Sequence, residues 1–460
     1  MPEPERDVRA TACRKLTAGT ASDNSAPVRP HPTRSMVPVA AAVLVFLVAG
    51  ALYLWWHGVW ARTGADLGDF KVYVAAGQAV LDADPLYEQG KAHLPTIAGT
   101  LKYPPFSAVV FVPLAWLPTQ ALPVFALGAN VVLLLVVIWL GLRMTGRRRD
   151  RTTVAMAFLL GALCLAMQPV EWNLLWGNVN LVLMALVVVD TALPERSRWK
   201  GVPTGVAAGI KLLPLIFIAH LVLTGRWRAA GTSAVAFLVT VGLGFLVLPG
   251  ESAYFWGAGV TDPDRVTGSG SADAPENQSI RGVVARLLGD PDLAAARWVP
   301  VAAVVGIAGL LLARRASRRG EDYLATALVG ATMVLVAPVA WSHYWVWFVP
   351  FFVLGVQWAA ASGRWWPWVP VVAGYLSVLA WPGGRNWDMP FPGLIFLPSH
   401  PADGPVAFAL QNVEVVLGLV CLVVFDRPDP GRARPPFSRR LAARLRGTER
   451  VGGVKGSRGE

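Results

Sequence analysis

The 460-residue chain is 54% hydrophobic and 15% charged, with 20 tryptophans and a mean hydropathy of +0.48, which excludes an ordinary soluble domain and implies repeated passage through lipid. Its net charge of +12 does not mark a nucleic-acid binder, because the arginines gather in short runs between apolar stretches, the positive-inside pattern of a polytopic membrane protein. Three cysteines, Cys13, Cys164 and Cys421, fall in or beside membrane or cytoplasmic segments and form neither a disulfide framework nor a thiolate metal cluster.

In chain order, residues 1–35 are rich in Pro, Ser and Thr, hold no apolar run and are expected to form a flexible cytoplasmic tail. Val37 to Trp56 is too long for the core of a secretory signal and lacks a small-residue cleavage site, so it reads as an uncleaved anchor. Further spans are expected at Ala121–Leu142, Val154–Gln168, Asn178–Leu193, Ser233–Leu248, Val299–Ala313, Tyr323–Ala340, Tyr344–Ala360, Trp366–Leu379 and Val406–Phe425. Arg147–Arg149, Arg196 to Lys200, Arg226 with Arg228, and Arg314 to Arg319 are expected in the cytoplasm. Residues 202–224 have basic flanks at both ends and so cross twice or not at all; Lys211-Leu212-Leu213-Pro214 predicts a hairpin of two half-length helices, for about twelve crossings. Pro104 to Pro118 is shorter than the roughly 20 residues a spanning helix needs. Like Tyr73 to Val80, it is expected to lie on the outer membrane face as an interfacial helix. With the amino terminus inside, the extracytoplasmic loops are 57–119, 169–177, 249–298, 341–343 and 380–405, and the carboxy terminus returns to the cytoplasm. Residues 426–460 hold ten Lys or Arg against four acidic residues, a basic tail that reinforces this topology and touches anionic lipid.

The expected fold class is therefore an all-α polytopic membrane protein, with one membrane domain over residues 36–425 between two tails. Its cytoplasmic loops are short and basic, with no Gly-rich phosphate cradle after a strand. The outer loops are long and hold most of the carboxylates, so chemistry is expected to face outward, where an activated sugar donor has to be lipid-linked. Asp69, in Gly68-Asp69-Phe70-Lys71-Val72-Tyr73, stands just beyond the first span. It is either a functional carboxylate at the membrane boundary or a cap of the helix that follows, with Asp66 its nearest rival. His343, among Trp341, Ser342 and Tyr344, is either functional or an interfacial anchor. Lys211 lies in apolar surroundings and either guides a lipid phosphate or satisfies the broken hairpin. Asn277-Gln278-Ser279 has the form of a glycosylation acceptor and reads as sugar-binding polar surface. The six histidines show no paired helical spacing, and no metal or other cofactor is expected.

The succession Asp69-x-x-Val72-Tyr73, Asp84-Pro85-Leu86-Tyr87, Tyr103-Pro104-Pro105, Gly177-Asn178-Val179-Asn180, Gly205-x-x-x-Gly209-x-Lys211-x-x-Pro214, Asn277-Gln278-Ser279 and Trp341-Ser342-His343 resembles the actinobacterial polyprenol-phosphate-mannose-dependent α-1,2-mannosyltransferases. These are glycosyltransferases of the C superfamily and include the enzyme that elongates phosphatidylinositol mannosides. The resemblance extends over residues 37–425, with Asn178 where the family more often has Gln. It implies a C-superfamily fold and an inverting transfer. A hydroxyl of a mannosylated glycolipid or lipoglycan attacks the anomeric carbon of polyprenyl-phosphate-mannose and releases polyprenyl phosphate. It implies Asp69 as the general base that takes the hydroxyl proton. Lys102, then Arg281 and Arg385, would favour the leaving phosphate, or Lys102 would merely snorkel to headgroups. His343 would hydrogen-bond phosphate or sugar, and Tyr103, Asn180, Asn277, Gln278 and Lys211 complete the expected binding set. Trp172, Trp176, Trp341, Trp345 and Trp387 are candidates to stack on pyranose faces. The competing readings are a transporter or flippase, whose repeated halves are not evident in this sequence, a transferase using another polyprenyl-phosphate sugar such as arabinofuranose, and a non-catalytic scaffold. An enzyme requires Asp69, Lys102 and His343 to converge on one cavity.

Overall fold

The computed structural model describes residues 36–60, 67–87, 101–260, 272–289, 291–381, 393–398 and 404–425; the expected tails, Cys13, Asp66, Arg385 and Trp387 lie outside these. Among the described residues the chain is helical, with two isolated β-bridges, Met167 to Leu379 and Asn277 to Trp341, and no strand. The first five helices are α1 (Val37–Trp60), α2 (Gly68–Asp82), α3 (Pro105–Ala115), α4 (Leu122–Met144) and α5 (Arg151–Leu165), with α1 packed on α5 and α2 on α3. α1 turns Leu44, Leu47, Leu52 and Trp55 outward, as a helix facing lipid does. α5 starts where Asp150 accepts from Thr153 N at 2.9 Å, a side-chain cap.

The middle of the chain is built from broken helices. α6 (Gln168–Trp176) and α7 (Asn180–Ala192) are bent by 114° across their break. α8 (Val202–Ile210) and α9 (Leu215–Leu223) are the two half-length helices expected around Lys211, nine residues each. After α10 (Trp227–Val247), α11 (Pro249–Tyr254) runs into a π turn, Phe255–Gly259. There follow α12 (Ile280–Leu288), α13 (Pro291–Arg318), α14 (Asp322–Leu335), a 3₁₀ turn at Ser342–Trp347, α15 (Phe348–Ser362) and α16 (Trp368–Ser377). α17 (Pro405–Gln411) and α18 (Val413–Val424) close the described chain, bent by 74° at Asn412.

Among the described residues, five helices are long and apolar enough to cross a membrane, or seven if each bent pair is one span, and four more apolar helices are shorter. The protein is thus membrane-embedded and α-helical, with spans shorter and more broken than apolar runs alone indicate. The expected span to Ala340 stops at Leu335, ahead of Pro338, which cannot continue a helix. All 14 residues of α14 are buried. At 1.5 Å per residue it is about 21 Å long, enough for a helix wrapped in protein. The loop expected at 169–177 is instead mostly α6, whose Gln168, Glu171 and Asn173 point inward. The loop expected at 249–298 contains α11, α12 and the start of α13, and the span expected from Val406 breaks at Asn412.

α7 and α14 define two ends of the molecule. Beyond the last turns of α7, Gly201 N donates to Asp190 Oδ1 at 2.7 Å and Lys200 Nζ to the Asp190 and Thr191 carbonyls at 2.8 and 3.0 Å. Arg226 there pairs at 2.5 Å with Asp322, the first residue of α14. Asn180 opens α7 at its other end, and the chain beyond α14 leads to His343. The basic cluster is therefore about 20 Å, one short helix, from Asn180. α8 leaves the cluster at Gly201 and lies directly on α10. A Cβ on Gly205 would come 2.3 Å from the Ser233 carbonyl oxygen, and one on Gly209 would come 2.1 Å from Thr240 Oγ1. Small residues at this spacing let helix backbones touch, and the helix ends by delivering Lys211 to the level of Asn180.

Candidate active site

Asp69 is placed by the meeting of α2 with the break after α6. Leu67, the residue that opens α2, takes the left-handed conformation with φ 54° and donates its N–H to Leu175 O at 3.0 Å. Gly177 closes α6 at φ +63°, where a Cβ would lie 2.7 Å from Phe70 Cβ, so glycine is required both for the backbone and for the approach. This turn aims Asn178 at α2, and Asn178 Nδ2 donates to Asp69 Oδ2 at 2.6 Å. The helix-cap role is not found: the N-cap is Leu67, with no side-chain cap bond, and Asp69 lies inside the first turn.

Further residues close around this pair. Asn178 Nδ2 is 3.2 Å from His343 Nε2, which stands 3.8 Å from Asp69 Oδ2. Asn180 N donates to Asn178 Oδ1 at 3.1 Å, and Asn180 Nδ2 to the His343 carbonyl at 3.1 Å. Lys211 Nζ donates to Asn180 Oδ1 at 3.0 Å and sits 3.6 Å from the centre of the Tyr344 ring and 5.1 Å from that of Tyr103. The Tyr103 hydroxyl lies 3.2 Å from that of Tyr73. Lys102 is near enough, with Lys211, to pull electrostatically on Asp69. Asp69, Lys102, Tyr103, Asn180, Lys211 and His343 are thus brought together as a group.

Asp69 keeps 32% of its side-chain surface open at the edge of an otherwise enclosed group. Withdrawal of water raises its carboxyl above the usual range, opposed by the Asn178 hydrogen bond and then by Lys211 and Lys102. Burial, helped by neighbouring Asp69, pushes the Tyr103 phenol up as well, and burial does the same to Tyr73. Both phenols therefore keep their protons at neutral pH and can donate hydrogen bonds.

Other expected site residues lie elsewhere in the fold. Asn277 and Gln278 are 1% and 0% exposed, which corrects their reading as an open polar surface. Asn277 Oδ1 accepts from Ala340 N at 3.1 Å and Gln278 Nε2 donates to Gln411 O at 2.6 Å, so both amides tie backbone together. Arg281, in the first turn of α12, has a buried Nε without a hydrogen-bond partner among the described residues and is not among the groups that act on the Asp69 carboxyl. Trp345 is fully buried, donating to Gln278 O at 2.9 Å, and Trp172 stacks on Phe396 in a buried cluster, so neither presents a face to a sugar. Tyr344 was not singled out by its sequence context as a partner of Lys211, and Asn178, noted only as a departure from Gln, proves central.

The helical membrane body, with a carboxylate, an imidazole and an ammonium brought together around Asn178 and Asn180, fits the class of membrane-embedded glycosyltransferases. The model of glycosyltransferase family 87 matches residues 101–338, and the chain belongs to that family. It is 33% identical over 322 residues, 64% of this chain and 74% of the relative, to the polyprenol-phosphate-mannose-dependent α-(1-2)-phosphatidylinositol mannoside mannosyltransferase of Mycobacterium tuberculosis. It is 30% identical, over 84% of this chain and 94% of the relative, to a polyprenol-phosphate-mannose-dependent α-(1-2)-phosphatidylinositol pentamannoside mannosyltransferase of the same species. A protein of that second name from Mycolicibacterium smegmatis is 29% identical over its full length and 88% of this chain. No solved structure matches the chain.

Proposed function

We propose that the protein transfers mannose, with inversion, from polyprenyl-phosphate-mannose to a hydroxyl of a phosphatidylinositol-mannoside-type acceptor, forming an α-1,2 linkage on the extracytoplasmic face. The observation that carries this reading is the convergence of Asp69, Asn178, His343 and Lys211. The donor and acceptor follow the names of the relatives. The outward face follows from charge: the basic cluster of Lys200 and Arg226 lies at the opposite end of α7 from Asn180, and basic ends stay in the cytoplasm. On this orientation both tails are cytoplasmic, and the basic residues 426–460 meet anionic lipid.

The geometry divides the labour. Asn178 holds Asp69 Oδ2, which leaves Oδ1 to take the proton from the acceptor hydroxyl. The acceptor oxygen bonds to the anomeric carbon as the carbon–oxygen bond to phosphate breaks, and the electron pair leaves with polyprenyl phosphate. A raised carboxyl suits a base that works near neutral pH. Lys211 and Lys102 supply positive charge where the phosphate departs, and the Tyr103 phenol offers a neutral donor. His343 Nε2, beside Asn178 and Asp69, hydrogen-bonds the sugar or the phosphate.

Mannosyl transfer is measured in membranes with synthetic donor and phosphatidylinositol-mannoside acceptor for the parent and for Asp69→Asn. The base assignment requires a loss of about 10²- to 10⁴-fold. Parental turnover by a stably expressed Asp69→Asn variant refutes it.

A further inference from the structure

Behind His343 lies a buried polar frame that the proposed reaction does not use directly. Three breaks in the helical chain meet there: the segment 274–279, the turn at 340–345 and the kink at Asn412. Gln278 N donates to Ala340 O at 2.7 Å and Trp345 Nε1 to Gln278 O at 2.9 Å, joining the first two. Arg286, on α12 and 7% exposed, donates to Asn412 Oδ1 at 2.6 and 3.0 Å, to Ala274 O at 2.6 Å and to Asn277 O at 3.0 Å. Glu414, 0% exposed at the start of α18, accepts from Ser342 Oγ at 2.5 Å.

The imidazole of His343 has little of its own to hold it from behind. Its Nδ1 is buried and has no partner among the described residues, while Nε2 meets Asn178 in front. The ring therefore points wherever the backbone of 341–345 points it. Arg286 and Glu414 are ionisable side chains withdrawn from water, a costly placement that stability alone does not account for. Apart from a longer bond from Arg286 to Asp273 O at 3.4 Å, their hydrogen bonds end on the backbone or side chains of the three breaks.

We infer that Arg286 and Glu414 are positioning residues that aim His343 at Asp69, Glu414 through Ser342 and Arg286 through Asn277 and Asn412. This rests on the proposed role of His343 at the donor. It makes the helix kink at Asn412, far along the chain from Asp69, a part of the machinery that orients the site.

The test is a double-mutant cycle between Glu414→Ala and His343→Ala in the full-length protein, reading kcat, KM for the donor and the affinity for polyprenyl phosphate alone, a probe that needs no turnover. Glu414→Ala alone is expected to lower kcat about 10- to 100-fold, the scale of a misplacement near 1 Å. In the His343→Ala background it is expected to cost less than about twofold more, because residues acting through one another do not add. Glu414→Gln, whose amide oxygen still accepts from Ser342, recovers part of the loss. Ser342→Ala, which removes the link while leaving Glu414 and Arg286 in place, lowers kcat in the same direction and serves if Glu414→Ala does not fold. Multiplicative losses in the cycle, or Ser342→Ala with parental kcat, overturn the positioning role while leaving the reaction intact. Parental turnover and phosphate affinity in His343→Ala overturn the role of His343 and this inference with it. A parent that binds polyprenyl phosphate without transferring mannose refutes the choice of sugar, and the cycle is then read on the affinity.

Discussion

Lys211→Met is the substitution that separates a catalytic lysine from a structural one, because it keeps an unbranched apolar stem and deletes the charge. Four interactions disappear: the hydrogen bond to Asn180 Oδ1 at 3.0 Å, the contacts with the Tyr344 and Tyr103 rings at 3.6 and 5.1 Å, and the pull on Asp69. The first is worth about 1.5–3 kcal/mol as a bond to a charged group, and a desolvated cation–π contact about 2 kcal/mol. Folded stability changes by less than that sum, since methionine also escapes the cost of burying an ammonium. The departing phosphate has no such offset. Losing one electrostatic partner of the transition state costs about 10²- to 10³-fold in kcat.

The variant also has a pH signature with a fixed sign. Burial raises the Asp69 carboxyl and Lys211 opposes that rise, so without Lys211 the carboxyl moves higher still. The basic form of Asp69 is then depleted at a higher pH, and the acid limb of kcat/KM shifts in the alkaline direction. Initial rates of mannosyl transfer across that limb, in nanodiscs at saturating acceptor, measure both effects. Parental kcat with an unmoved limb would show that Lys211 only satisfies the break between α8 and α9.

Asn178→Ala removes the donor that lowers the Asp69 carboxyl; its acid limb is expected to move the same way as that of Lys211→Met, with unchanged expression, in the same rate assay. Gly209→Ala drives a methyl against Thr240 Oγ1 at 2.1 Å, and overpacking of this kind costs about 1–3 kcal/mol, read as a lower Tm in detergent together with reduced turnover as Lys211 is displaced. Arg226→Ala leaves Asp322 buried without its guanidinium, a loss of about 3–5 kcal/mol that lowers Tm but spares kcat of the folded fraction, because the cluster lies at the far end of α7.

Asp69 stands out in the sequence as a carboxylate just past a lipid-facing span, although Asp66 and a helix cap compete with it there, and Lys211 stands out because its charge interrupts an apolar run. The pairing of α8 with α9 was legible from basic flanks. α6 was not: Gln168, Glu171 and Asn173 gave it the polarity of a loop, and only the bend after it turns those side chains inward. Glu414 carried a usable signal that went unread, an acid inside the apolar run from Val406 to Phe425. Arg286 carried none, since an arginine on the short helix α12 looks like any exposed cation until three distant breaks in the chain are folded around it.

The rings of Tyr103 and Tyr344 do more than hold the ammonium of Lys211; together with Asn180 they keep dissolved ions away from it. Mobile salt screens exposed charges beyond a Debye length of about 8 Å at physiological ionic strength but reaches buried ones far less. The charge of Lys211 is consequently screened far less than that of an exposed lysine. On the proposed orientation the site faces surroundings whose salinity the cell does not control, and the aromatic enclosure shelters Lys211 from it.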